Sequence, residues 1–127
     1  MFEKLDLTRM AQGLAATAGA RLGLIAQNVA NADTPGYRAR DLPDFAQTYA
    51  AGNGLAMRAT RSGHFGAPDK PAPPEPIFSG GSASPNGNTV SLELEMVKSV
   101  EARQSHDMAL AIYRATSDVI RASLGRK

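Results

Sequence analysis

His64 and His106 are the only imidazoles the chain could use for acid–base work or for holding a metal. His64 lies in Gly63-His64-Phe65-Gly66, a loop by composition. His106 lies beside Asp107 in a helical stretch, where adjacent side chains point apart. Neither has a partner at metal-ligand spacing. The absence of cysteine removes thiolate sites and disulfides. Serines and aspartates are present, but no Gly-x-Ser-x-Gly elbow presents a nucleophile. The glycine pairs at Gly80-Gly81 and Gly52-Asn53-Gly54 do not open a helix with the lysine of a phosphate loop. No convergent polar set emerges, so the sequence predicts no catalysis, no cofactor and no metal.

The side-chain chemistry that stands out is that of amides. Asn28-Val29-Ala30-Asn31-Ala32-Asp33-Thr34-Pro35-Gly36-Tyr37 places two asparagines just before a helix-stopping turn. An amide both donates and accepts, and left unpaired when buried it costs about 1–3 kcal/mol. Asn28 and Asn31 are therefore expected to hydrogen-bond across the helix end. Thr34 precedes a proline and is pushed out of the α region, so the helix should end near Asp33. In the turn that follows, Pro35 presets φ and Gly36 accepts positive φ. Pro35, Gly36 and Tyr37 should redirect the chain, with Phe45 anchoring its return.

The elements that must carry these residues fall into three textures. Residues 1–33 read as a helix with a heptad seam at Ala11, Ala15, Ala18, Leu22, Ile25, Val29 and Ala32. Leu7, Met10 and Leu14 share the spacing in a shifted phase. Gly13, Gly19 and Gly23 each cost that helix roughly 1 kcal/mol relative to alanine, so packing must supply what propensity lacks. Residues 34–89 hold all eight prolines and eight of the twelve glycines, which makes this the irregular part. Within it, 42–50 suggests a short helix and Leu55–Thr60 a short strand, and 66–88 is too poor in apolar side chains to order alone. Residues 90–124 contain neither proline nor glycine and read as the clearest helix. Asn88, Thr89 and Ser91 are its candidate N-caps. Leu94 three residues after Ser91 denies it a capping box. Glu93 and Glu95 suit its start, and Arg121, Arg126 and Lys127 its end. Val97, Val100, Met108, Ala111, Ala115, Val119 and Ala122 form one apolar stripe, interrupted at Gln104 and Asp107.

The expected fold is mainly α. Long N- and C-terminal helices pack as an antiparallel, coiled-coil-like pair around an irregular, Pro/Gly-rich middle with room for short strands. The matching division is a discontinuous helical core of 1–33 with 90–127, and a middle segment at 34–89 that is flexible or ordered on assembly. Of the 127 residues, 43% are hydrophobic, but alanine carries much of that share and only 6% are aromatic. Two helices alone cannot cover two apolar stripes, so further surfaces must come from other subunits. A net charge of +2 without a basic stripe argues against nucleic acid. No apolar run is long enough to span a membrane. Glu3, Lys4, Asp6 and Arg9 interrupt any signal-peptide core.

The amide-rich string resembles the signature that closes the N-terminal helix in the bacterial flagellar axial proteins, the rod, hook and hook-associated family. Asn28, Ala30, Asn31, Thr34, Pro35, Gly36 and Tyr37 all match it. Pro85-Asn86-Gly87-Asn88-Thr89-Val90, with Leu92, Glu95-Met96 and Lys98, resembles the C-terminal signature of a proximal rod branch. The short length, Ala39-Arg40-Asp41 with Phe45, and the Thr60-to-His64 spacing agree. Ser91 departs where aspartate is usual, as do Ala102 and His106 where asparagine and an aromatic residue are usual.

The resemblance implies a structural subunit of the flagellar basal body that transmits torque. It implies export through the flagellar type III apparatus without a cleaved signal peptide, and helices that order against neighbours in a periplasmic rod. Its implied partners are copies of itself, other rod proteins, and the MS-ring, export-gate and adaptor proteins at the rod base. No small-molecule substrate is implied. Leu22, Ile25, Val29, Val97, Val100, Met108, Ala115 and Val119 are then the expected seam within and between subunits. Two other readings are another proximal rod subunit, and a soluble export chaperone or adaptor. The latter would be a stable folded monomer or dimer, which circular dichroism of the purified chain would reveal.

Overall fold

The computed structural model describes residues 2–52 and 74–125, with side chains for 6–50 and 74–125. The expected Leu55–Thr60 strand, the His64 loop, residues 66–73, and Arg126 and Lys127 lie outside this range.

Five elements follow in order: α1 (Phe2–Ala30), β1 (Arg40–Asp41), α2 (Phe45–Gly52), β2 (Ile77–Phe78) and α3 (Leu92–Ser123). The fold is mainly helical, and its two long helices pack against each other as the sequence predicts. They run antiparallel. Asn28 near the end of α1 bonds Glu95 in the first turn of α3, while Thr17 and Ala18 line a cleft with Ala102 and Ser105. The buried row on α1 is Ala11, Ala18, Ile25 and Asn28, and that on α3 is Glu95, Ala102, Ala109 and Thr116. Most of these recur every seven residues, the period of a coiled-coil seam. Four of them are alanine, so the helices approach closely across a thin core. Buried Thr116 turns its hydroxyl back onto the Ile112 carbonyl at 2.8 Å.

Ser91 caps α3, its hydroxyl accepting from the Leu94 amide at 3.5 Å. Thus the helix starts at Leu92, two residues inside the span read from composition. α1 stops at Ala30, three residues before the expected end. There the Asn31 amide already bonds the carbonyls of both Gln27 and Asn28, and Ala32 and Thr34 donate to carbonyls three residues back. The last turn thus tightens before proline can act. The short helix expected at 42–50 begins at Phe45, after Pro43, with the Asp44 carbonyl accepting from Thr48.

The middle segment is more regular around residue 80 than its composition suggests. β1 and β2 pair antiparallel, Arg40 opposite Phe78 and Asp41 opposite Ile77. The Arg38 guanidinium lies 4.5 Å from the centre of the Phe78 ring. Ser84-Pro85-Asn86-Gly87 closes as a turn, the Gly87 amide donating to the Ser84 carbonyl at 2.8 Å. Backbone pairing, not apolar burial, holds these residues, which is why their poverty in large side chains does not leave them unstructured.

Candidate functional site

The two sequence signatures, some fifty residues apart, meet at one end of the helix pair and form a buried polar joint. At its centre Asn28, with 0% of its surface exposed, uses both ends of its amide. Its nitrogen donates to the Arg40 carbonyl at 2.8 Å and to Glu95 Oε2 at 2.9 Å. Its oxygen accepts from the Arg40 amide at 3.1 Å and from the Tyr37 hydroxyl at 3.3 Å. One side chain therefore ties α1 to β1 and to α3. Among the described residues no buried side-chain nitrogen or oxygen is left without a partner.

Glu95 is 2% exposed. A carboxylate so placed needs a countercharge, and Lys98, one turn on, supplies it: its Nζ is 3.1 Å from Glu95 Oε1 and 3.3 Å from Asp41 Oδ2. Asp41 is also gripped in two-pronged fashion by Arg21, Nε to Oδ1 at 2.8 Å and Nη2 to Oδ2 at 3.1 Å. Two acids and two bases from α1, β1 and α3 form a charge-balanced chain. Burial pushes the Asp41 carboxyl up. The Arg21 hydrogen bond, the Leu42 amide and the charges of Arg21 and Lys98 outweigh that and hold it below its ordinary value. The hydrogen bond to Asp41 raises Arg21 in turn, against the opposing effect of burial.

The other half of the joint is a turn-on-turn contact. Thr34-Pro35-Gly36-Tyr37 is closed by the Tyr37 amide donating to the Thr34 carbonyl at 3.3 Å. Gly36 has a φ of +72°, as its position in the turn demands. Its amide donates to the Asn86 carbonyl at 3.0 Å. Gly87, at +79°, stacks so closely that an added Cβ would stand 3.5 Å from the Gly36 Cα. Beside it, Asn88 points its nitrogen at the carbonyls of Asn31, Ala32 and Thr34, at 2.9, 2.8 and 2.8 Å. These carbonyls belong to the turn just past α1, where those of Asn31 and Thr34 also accept a backbone amide. The Asn88 oxygen accepts from the Val90 amide at 2.7 Å, and Thr89 accepts from the Ala39 amide at 2.9 Å.

The expected site residues are distributed as follows. Ile25 and Asn28 are buried, and Leu22, Asn31, Tyr37 and Phe45 are half-buried. Thr34, Pro35 and Gly36 are exposed at the turn. Asn31 bonds within its own turn, donating to the Gln27 carbonyl at 2.8 Å and accepting from the Thr34 hydroxyl at 3.3 Å. Phe45 lies over Gly13, whose added Cβ would stand 3.3 Å from the ring. Val29, Val97, Val100, Met108, Ala115 and Val119 are exposed and do not belong to the seam within the chain. On α1 the seam takes Asn28 in place of its neighbour Val29. On α3 it takes Glu95 and small residues, and the larger apolar stripe lies on the opposite side of the helix. The stripe reading credited apolar bulk alone, whereas this interface is closed by small side chains and paired polar ones.

Residue-by-residue reading missed Glu95, Lys98, Asp41 and Arg21 as partners and took Asn88 for a possible N-cap. A signal was available. Glu95 stands seven residues before Ala102 and fourteen before Ala109, an acid in an otherwise small-residue heptad row that must find a polar partner opposite. His106 is half-buried, its Nδ1 3.8 Å from Asp107 Oδ1, too far for a hydrogen bond. Among the described residues no group of acids and histidines could hold a metal. No described helix is long and apolar enough to cross a membrane. The joint is a fastening in which, among the described residues, every buried side-chain polar atom has a partner.

Comparison with known proteins gives this fastening a context. A family model described as flagella basal body rod protein matches residues 10–38, the stretch of α1 and turn that carries Asn28 and Gly36. The flagellar basal body rod protein FlgB of Cereibacter sphaeroides is 36% identical over 94 residues, covering 72% of this chain and 73% of that one. FlgB of Salmonella typhimurium is 31% identical over 123 residues, covering 88% of each.

Proposed function

This chain belongs to the flagellar basal body rod protein FlgB family, and from that premise we propose that it builds the proximal rod by packing the outer faces of its terminal helices against copies of itself and other rod proteins. It is a structural subunit of the flagellar basal body, in a family whose work is mechanical rather than enzymatic. The observation that carries the packing mode is the exposed row on α3. Met96, Val97, Val100 and Met108 stand more than half exposed and Val119 49% exposed on one long helix, with Ala111, Ala115 and Ala122 exposed alongside them. A water-facing row of this extent marks a surface awaiting a partner. Neighbours with helices of the same kind would cover it, and the thin alanine seam would gain the surfaces it lacks.

On this reading residues 1–33 and 90–127 are the rod core, and 34–89 fastens and decorates it. The subunit travels through the flagellar type III apparatus without a cleaved signal peptide and joins the periplasmic rod. At the base it meets the MS ring, export gate and adaptor proteins. Assembly completes the ordering of the helices, whose fastened ends already pair within the chain. The direct test is Val100→Glu with Met108→Glu, which leaves the intrachain seam untouched. The expected result is a chain with unchanged circular dichroism that builds no rods and restores no motility. Normal rods from this variant would overturn the packing mode.

A further inference from the structure

We infer that Asn28, Glu95 and Asn88 set the register in which α1 and α3 pair, a choice the rest of the seam cannot make. The buried row on α1 repeats as Ala11, Ala18 and Ile25, and that on α3 as Ala102, Ala109 and Thr116. Both repeat every seven residues. Sliding one helix past the other by a heptad again sets alanine against small residues. Such shallow knobs impose little steric penalty on the wrong pairing. Apolar matching alone therefore leaves the alignment of the two helices under-determined.

The polar joint does not share that degeneracy. Its donors and acceptors each occur once along the seam. Glu95 is the one buried acid on α3, and Asn28 the one buried amide on α1. In a heptad-shifted pairing Asn28 would face Ala102 or a position ahead of the helix, and Glu95 would lie buried without its amide. A buried carboxylate oxygen left without its donor is costly even though Lys98, on the same helix, stays with Glu95 in any register. Asn88 adds a second check at the same end: four residues before α3, it reaches the carbonyls of the turn after α1 only when the helices are aligned as observed. These three are positioning residues. They determine where the exposed row on α3 lies relative to α1, and hence the shape the subunit offers to its neighbours.

The chain has no cysteine, so introduced thiols report alignment without background. Thr17 and Ser105 line the same cleft, and Thr17→Cys with Ser105→Cys reports the observed register. Thr17→Cys with Ile112→Cys, and Met10→Cys with Ser105→Cys, report the two heptad-shifted ones. A short bis-maleimide applied to the full chain, with intrachain products separated by mass, should link the first pair at least tenfold faster than either shifted pair. In an Asn28→Leu, Asn88→Ala, Glu95→Leu background the preference should fall to about twofold. Glu95→Gln, which keeps a partner for Asn28, should retain it. If the triple variant loses its helices, Asn28→Ala and Asn88→Ala read singly should each lower the ratio. A triple variant that keeps the original preference, single variants that leave the ratio unmoved, or an unsubstituted chain that links all three pairs equally would each overturn the assignment. An unfolded fraction would link all three pairs at similar rates and by itself pull the ratio toward one, so the ratio is read in variants whose helical circular dichroism is retained.

Discussion

Asn28 makes four hydrogen bonds to three residues, so Asn28→Ala strands several buried or part-buried groups at once: the Arg40 amide and carbonyl, the Tyr37 hydroxyl and Glu95 Oε2. A loss of about 1–3 kcal/mol in unfolding free energy is expected, measurable by denaturant titration of the purified chain against the parent. Asp41 gives the joint its pH dependence. Its folded pKa lies below the ordinary 3.8, so its ionised form binds more strongly in the folded state. That contribution is complete above the ordinary carboxylate range and drains away as pH falls below about 4 through the folded value. Asp41→Asn should therefore lower stability at neutral pH and flatten the acid limb of the stability profile, as followed by circular dichroism. Asn28 was legible in the sequence as an amide that needed partners. The partners were not, because Arg21, Asp41 and Lys98 become neighbours only after the chain has turned back on itself. Nothing in local spacing distinguishes them from solvated charges.

At the level of elements, α1 carries glycines that its own chain does not explain. An added Cβ at Gly19 or Gly23 meets nothing within 4 Å, and both residues are exposed. Gly19→Ala should thus raise the helicity of the isolated chain, by roughly 1 kcal/mol of helix propensity. A reduced yield of rods from the same variant would show that a neighbour uses the space. Gly36→Val acts in the opposite direction. A β-branched residue at φ +72° costs on the order of 1–3 kcal/mol. The expected outcome is weaker protection of the Gly36–Asn86 contact in hydrogen exchange and lost motility. Both long helices and the tight turn were plain from periodicity, from proline and glycine placement, and from the absence of those residues over 90–124. The α1 boundary was misjudged by three residues because its last turn tightens through bonds to carbonyls three residues back, before Pro35 can act. Helix α2 began late because Pro43 and Asp44 start it. The β1–β2 pair, two residues a side, is too short to leave a period in the sequence.

As a whole molecule the chain is two long helices fastened at one end and thinly cored along their length. The same residues that make α3 look amphipathic face outward, and that inversion was hidden from sequence. Hydrophobic spacing tells which side chains share a face, but not whether that face meets the same chain or another. The larger apolar side chains of α3 stand exposed, and small residues with a satisfied polar knot close the contact within the chain. Asn88 has a consequence for how the polypeptide comes into being. A chain synthesised from its amino terminus has made all of α1 long before the amide that bridges the following turn exists. The turn behind its first helix goes without that bridge until the eighty-eighth residue arrives, and a fragment cut anywhere before that point is an unfinished object rather than half a subunit.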